Sequence, residues 1–257
     1  MKQSTISIIV LISSAIVVHL LYSLWILPEA ESLQAIAAET GSTLPRNVVI
    51  VLKDLEQELC LILMLWGGYL CISKMYTYSA HDYLFDVDIL KSIEEKDESI
   101  PAILDDIDSL DKHIKESPLI QTLTLSLRRY LITNSVQSAA ETIQPALDVL
   151  SIKNASELSV IKYITWAIPS IGFLGTVRGI GQAMAQAEVA IAGDIGPMTS
   201  SLGVAFNSTF VALLISILLM LLLSFIERMQ DDNLVKIHSY CERYLIKRIT
   251  LNKHNNV

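Results

Sequence analysis

Four stretches of the chain carry no formal charge, and their lengths set its class. Between Lys2 and Glu29 lie 26 such residues, rich in Ile, Val and Leu, where about 20 helical residues suffice to cross a hydrocarbon layer. Between Glu58 and Lys74 there are 15, LCLILMLWGGYLCIS, so the ionic residues flanking this shorter span must sit at the interfaces or snorkel to them. Another 15 separate Lys162 from Arg178, and the apolar character continues through GIGQAMAQA to Glu188. The longest run, 32 residues between Asp194 and Glu227, allows a tilted helix with an extension beyond the bilayer. The pattern predicts an all-α integral membrane protein: transmembrane helices over 1–28, 58–74, 159–188 and 198–226, an acidic outer loop over 29–57, a helical cytoplasmic segment over 75–158, an outer turn over 189–197 and a cytoplasmic tail helix over 227–257. The greasy run Ile6 to Leu27 exceeds the core of a cleavable secretory signal, and Tyr22 and Trp25 stand near one end as interfacial anchors do. A membrane anchor is therefore expected.

The segment between the second and third spans has no Gly, and its prolines Pro101, Pro118 and Pro145 predict breaks between helices. Apolar residues recur at helical spacing in Ile103, Ile107, Leu110 and Ile114, and again in Leu119, Leu123, Leu127, Tyr130 and Leu131, the mark of amphipathic helices packed on one another or on a neighbouring subunit. In the tail, Leu234, Ile237, Tyr240, Tyr244 and Ile249 recur amid Arg and Lys. The acids Glu94, Glu95, Asp97 and Glu98, then Asp105, Asp106, Asp108 and Asp111, read as a solvated face, with a surface for a basic partner as the alternative.

Composition agrees and then narrows the function. An apolar fraction of 52% and a mean hydropathy of +0.47 exclude a disordered chain. A net charge of -8 argues against nucleic acid as a partner, which needs a clustered basic surface. Of the Lys and Arg residues, the loop from Glu29 to Glu58 holds two, Arg46 and Lys53, whereas the N-terminus, the segment from Lys74 to Lys162 and the tail hold one, nine and six. This bias places both termini and the middle segment in the cytoplasm. Cys60, Cys71 and Cys241 form no CxxC or His-spaced set and read as small apolar fillers. His19, His81, His113, His238 and His254 form no ligand pair, and no nucleophile and base cluster, so a membrane enzyme is disfavoured and no metal or cofactor is expected.

The polar residues of the last two spans are the candidate chemistry. An ion path through lipid must be lined by groups that replace water. The third span reads AIPSIGFLGTVRGIGQAM, in which Gly172, Gly175 and Gly179 open one face for close approach and Thr176 places a hydroxyl beside it. Pro169 frees a carbonyl one turn away. For the glycines alone, ordinary helix packing is the favoured reading. The fourth span holds Asn207, Ser208 and Thr209 in succession, and Thr209 lines up with Ala205, Ala212 and Ser216. A lone mid-membrane hydroxyl more often bonds back to its own helix. Arg178 has two readings: it snorkels to the outer interface, or it faces a pore mouth.

PSIGFLGTVRGI followed by LGVAFNSTFVALLIS resembles the paired signature of the MotA/TolQ/ExbB proton-channel family, G-x-LGTV-x-G and A-x-x-x-T-x-x-G/A-L. Thr176 and Thr209 match the threonines of the two elements, and Pro169 the proline before the first. Ala212 stands at the G/A position, Leu218 where a proline is common, and Arg178 where an apolar or aromatic residue is common. Two N-terminal spans are closer to the flagellar-stator arrangement than to the three-span one. The resemblance implies a homopentameric ring in the bacterial inner membrane around two copies of a single-span partner, each with a membrane Asp and a periplasmic domain. Proton binding to that Asp, opposite Thr176 and Thr209 of successive subunits, then drives rotation of ring against partner. Sodium stays open, since Asn207, Ser208 and Thr209 could supply oxygens to it. Read as residues alone, the spans contain no acid, so any membrane carboxylate must come from another chain. The alternative is a non-conducting scaffold of packed helices.

Overall fold

The computed structural model describes residues 2–40, 47–80, 82–88, 90 and 100–250. Arg46, His81, the acids Glu94, Glu95, Asp97 and Glu98, and His254 lie outside the described residues. Among the described residues the regular structure is helical throughout. Four helical stretches are long and apolar enough to cross a membrane: Thr5–Ile36, Leu55–Phe85, Val136–Ala185 and Gly196–Thr250. The chain divides into two compact units, one of Met1–Ile72 with Val160–Ser224, the other of Ser73–Ser159 with Phe225–Val257.

The first unit begins with α1 (Lys2–Leu21), which continues through a π-helical turn (Tyr22–Ile26) into α2 (Leu27–Thr40). Pro28 cannot donate to the carbonyl four residues back, and a widened turn at such a point keeps the helix unbroken. Here the Leu27 N–H bonds five residues back to the Tyr22 carbonyl. After the short α3 (Val48–Leu52), whose Asn47 side chain accepts from the Val49 N–H, α4 (Leu55–Ala80) runs for 26 residues, about 39 Å at 1.5 Å per residue. The second span is therefore part of a helix that extends past its charge-free run at both ends. Val18, Tyr22 and Ile26 pack against Val49, Leu61 and Ile62, and the Trp66 indole donates to Ser7 at 3.1 Å. Cys60, Ile164, Ile168, Val211, Ala212, Ile215 and Leu219 form the rest of this core.

In the second unit, α5 (Ile100–Ser109), α6 (Lys112–Lys115) and α7 (Pro118–Thr133) are followed by the start of α8 (Val136–Ala185). After the short α9 (Ala187–Ile191) of the first unit comes α10 (Gly196–Tyr240), whose end closes the second unit together with a second π-helical turn (Cys241–Ile246). Ile103 and Ile107, then Leu119, Leu123, Leu127 and Tyr130, then Ile237, Tyr240 and Ile249 share one buried core, as their spacing predicts. Leu131 is exposed, because Tyr130 takes the inward position. Asp105, Asp106, Asp108 and Asp111 are exposed, the solvated face expected of them. Pro118 opens α7 behind a Ser117 cap and Pro101 stands in the first turn of α5. Pro145 departs from the expectation, since it lies inside the 50-residue α8. Ile143 and Leu147 on either side of it are buried, and such packing offsets the roughly 3 kcal/mol that an interior proline costs. A bidentate pair of Arg248 on Asp88, at 2.6 and 2.5 Å, and the Gln230, Tyr78 and Asn154 hydrogen bonds add polar links within this unit.

Candidate functional site

The site lies in the first unit, where α8 and α10 run side by side. The small residues decide how closely. A methyl at Gly172 would stand 2.4 Å from the Ala212 Cβ, at Gly175 2.5 Å from the Ser208 Cβ, and at Gly179 2.7 Å from the Ala205 nitrogen. The glycine stripe of α8 thus faces Ser201, Ala205, Ser208 and Ala212 on α10 in antiparallel register, close enough to exclude any side chain. Pro169 leaves the Thr165 carbonyl without its helical donor, and the Ser216 hydroxyl of α10 donates to that carbonyl at 3.1 Å. The Cys60 thiol makes a weak contact to the Ile168 carbonyl at 3.8 Å. The freed backbone of the third span is satisfied from neighbouring helices, as a hydrocarbon environment demands.

On this frame the Thr176 and Thr209 hydroxyls meet in a direct hydrogen bond. Thr176 Oγ1 also reaches the Ala205 carbonyl of α10 at 3.2 Å and the Gly172 carbonyl of its own helix at 3.3 Å, while Thr209 Oγ1 reaches the same Gly172 carbonyl at 3.1 Å. Two hydroxyls carry two protons between them. With two backbone carbonyls in reach, one of them shared, they can exchange which one donates to the other, and each keeps a lone pair for an outside donor. Neither threonine is fully buried. Ser208 turns away from this pair: it donates to the Val204 carbonyl and faces Gly175 and Gln57. Asn207 is half-buried beside the exposed rings of Phe206 and Phe210.

Arg178 is two residues beyond Thr176, and its guanidinium meets Glu56 Oε2 at 2.7 Å and Asp54 Oδ1 at 3.7 Å. Its side chain is 41% exposed, whereas those of Glu56 and Asp54 are 10% and 14%. The neighbouring Gln57, fully buried, donates to the Val51 carbonyl at 3.0 Å and to Ser208 Oγ at 3.4 Å. Glu58, one step on, meets His19 at 2.9 Å. Sequence reasoning assigned Asp54 and Glu56 to the outer loop because they precede the charge-free run. The signal that points to them is Arg178 itself, since a cation in an apolar helix needs a partner.

Burial pushes the Asp54 carboxyl above the ordinary carboxylate range; Glu56 adds to the rise, while Lys53 and Arg178 oppose it. A carboxyl raised in this way binds its proton more tightly folded than unfolded, so stability falls as pH climbs from the ordinary value through the raised one. Asp54→Asn should flatten that part of the profile. Thermal unfolding of the detergent-solubilised protein against pH reads it, and an unchanged slope would assign the effect to another group.

A family model described as the MotA/TolQ/ExbB proton channel family matches residues 114–239, which include Thr176, Thr209 and Arg178 but not α4. No curated protein and no solved structure matches the chain.

Proposed function

We propose, on the match of residues 114–239 to the MotA/TolQ/ExbB proton channel family, that the chain is the channel-forming subunit of a motor complex driven by ion motive force. The observation that carries the reading is the hydroxyl pair of Thr176 and Thr209 across α8 and α10. In the proposed complex, five copies form a ring in the bacterial inner membrane, with both termini and the middle segment in the cytoplasm. The ring encloses two copies of a single-span partner, each with a membrane Asp and a periplasmic domain. The Asp takes a proton, loses its charge and passes a threonine pair; it then releases the proton on the other side, and ring and partner step against each other. This chain contributes the hydroxyls and a rigid wall, and the partner contributes the carboxylate.

The scaffold reading has one observation in its favour: both threonine hydroxyls already find acceptors inside the chain. Co-purification from native membranes followed by subunit counting, with ion uptake measured in vesicles holding the purified complex, separates the two. The motor reading expects a co-purifying single-span protein and uptake that a protonophore collapses and sodium leaves unchanged. Uptake that follows sodium instead would reassign the ion. A homo-oligomer with neither partner nor uptake is the scaffold.

A further inference from the structure

The first turn of α4 touches the residue next to each threonine, once on α8 and once on α10. On the α8 side, Glu56 is buried and lies across Gly175, where a methyl would come within 3.1 Å of the Glu56 Cγ. Arg178 holds its carboxylate there at 2.7 Å. Gly175 directly precedes Thr176. On the α10 side, Gln57 has no exposed surface and donates to Ser208 Oγ, and Ser208 directly precedes Thr209. Consecutive residues of one helix therefore hold the two helices that carry the hydroxyl pair.

We propose that Glu56, Gln57 and Arg178 are positioning residues of the ion path: a clamp from the second span that fixes the spacing and register of Thr176 against Thr209, and that cancels a positive charge beside them. The charge matters as much as the geometry. An unpaired guanidinium two residues from the path repels an incoming cation, and the low dielectric of the site strengthens the repulsion. With Glu56 in contact the pair is neutral, and Asp54 on the other side of Arg178 adds negative charge at this end of α4. The two helices alone do not supply this arrangement, because the carboxylates reside on the element that precedes them.

The inference rests on the proton-channel reading for its consequence but not for its geometry, and two measurements separate the two. The first is disulfide yield between Thr176→Cys and Thr209→Cys under mild oxidation, in otherwise unaltered protein and with Glu56→Gln or Gln57→Leu added. The clamp expects the yield to fall at least threefold in either background. Unchanged yield in both overturns it, whether or not the protein conducts. The second is proton uptake with the native threonines. Glu56→Gln, which leaves Arg178 only the longer contact to Asp54 at 3.7 Å, should lower uptake at least tenfold. Glu56→Gln with Arg178→Gln should regain part of the loss, because the guanidinium that lost its closest carboxylate is gone from beside the path. A double variant no better than Glu56→Gln would overturn the electrostatic role. Absence of uptake in the unaltered complex would sink the channel reading while the disulfide yield still decides the clamp.

Discussion

Thr176→Ala combined with Thr209→Ala should abolish ion-driven uptake while leaving the proposed complex assembled. The structure says why the two outcomes separate. Each hydroxyl makes hydrogen bonds to backbone carbonyls and to the other, and a typical intramolecular hydrogen bond contributes about 1 kcal/mol net. The double variant therefore loses about 2 kcal/mol of local stability. The glycine and alanine contacts that hold α8 on α10 involve neither hydroxyl. In the proposed mechanism, function depends instead on a polar surface for a neutralised carboxylate to pass, and alanine presents only a methyl. Each single variant leaves one hydroxyl bonded to a carbonyl and should retain partial uptake. Thr→Ser at both positions keeps the donors and should restore most of it. Uptake in the double alanine variant equal to the unaltered complex would remove the hydroxyl pair from the mechanism.

Much of this arrangement was legible in the sequence because lipid imposes simple rules. Charge-free runs pointed to four helices long and apolar enough to cross a membrane, and helical spacing located the inward stripes of the second unit, where Ile103, Leu123, Leu127 and Ile237 are all buried. The spacing of Gly172, Gly175 and Gly179 marked a close-packing face, and Pro169 announced a carbonyl in want of a donor. What spacing along one helix cannot give is the partner on another. That Ser216 serves Thr165, that Ser208 turns toward Gln57 while Thr209 turns toward Thr176, and that Glu56 reaches Arg178 are all facts of helix rotation and depth. A helix can also carry a carboxylate into the protein once a guanidinium waits for it, as α4 does with Glu56. Pro145 misled for the converse reason: a local breaker was outweighed by the burial of Ile143 and Leu147.

The glycine stripe yields the second large effect, and its pattern of rescue is more telling than its size. Gly172→Ala should destabilise by about 1–3 kcal/mol, the cost of overpacking, because the new methyl would sit 2.4 Å from the Ala212 Cβ. The other neighbours of that methyl, the Ser208 carbonyl at 3.2 Å and the Thr209 Cα at 3.3 Å, are tight yet tolerable after a small shift. Removing the opposing methyl with Ala212→Gly should therefore recover most of the loss. Gly179→Ala is a different case. Its methyl would meet the Ala205 nitrogen at 2.7 Å and the Ser201 carbonyl at 2.8 Å, as well as the Ala205 Cβ at 2.8 Å. Backbone cannot rotate aside as a side-chain tip can, so Ala205→Gly should fail to rescue it and the helices must part. Thermal stability of the four variants in detergent reads this directly. Disulfide yield between cysteines at 176 and 209 reports whether parting the helices also separates the threonines. Rescue of Gly179→Ala by Ala205→Gly would mean that α8 and α10 slide past one another freely. A wall that yields in that way could not hold two hydroxyls in register against the moving carboxylate of the proposed motor.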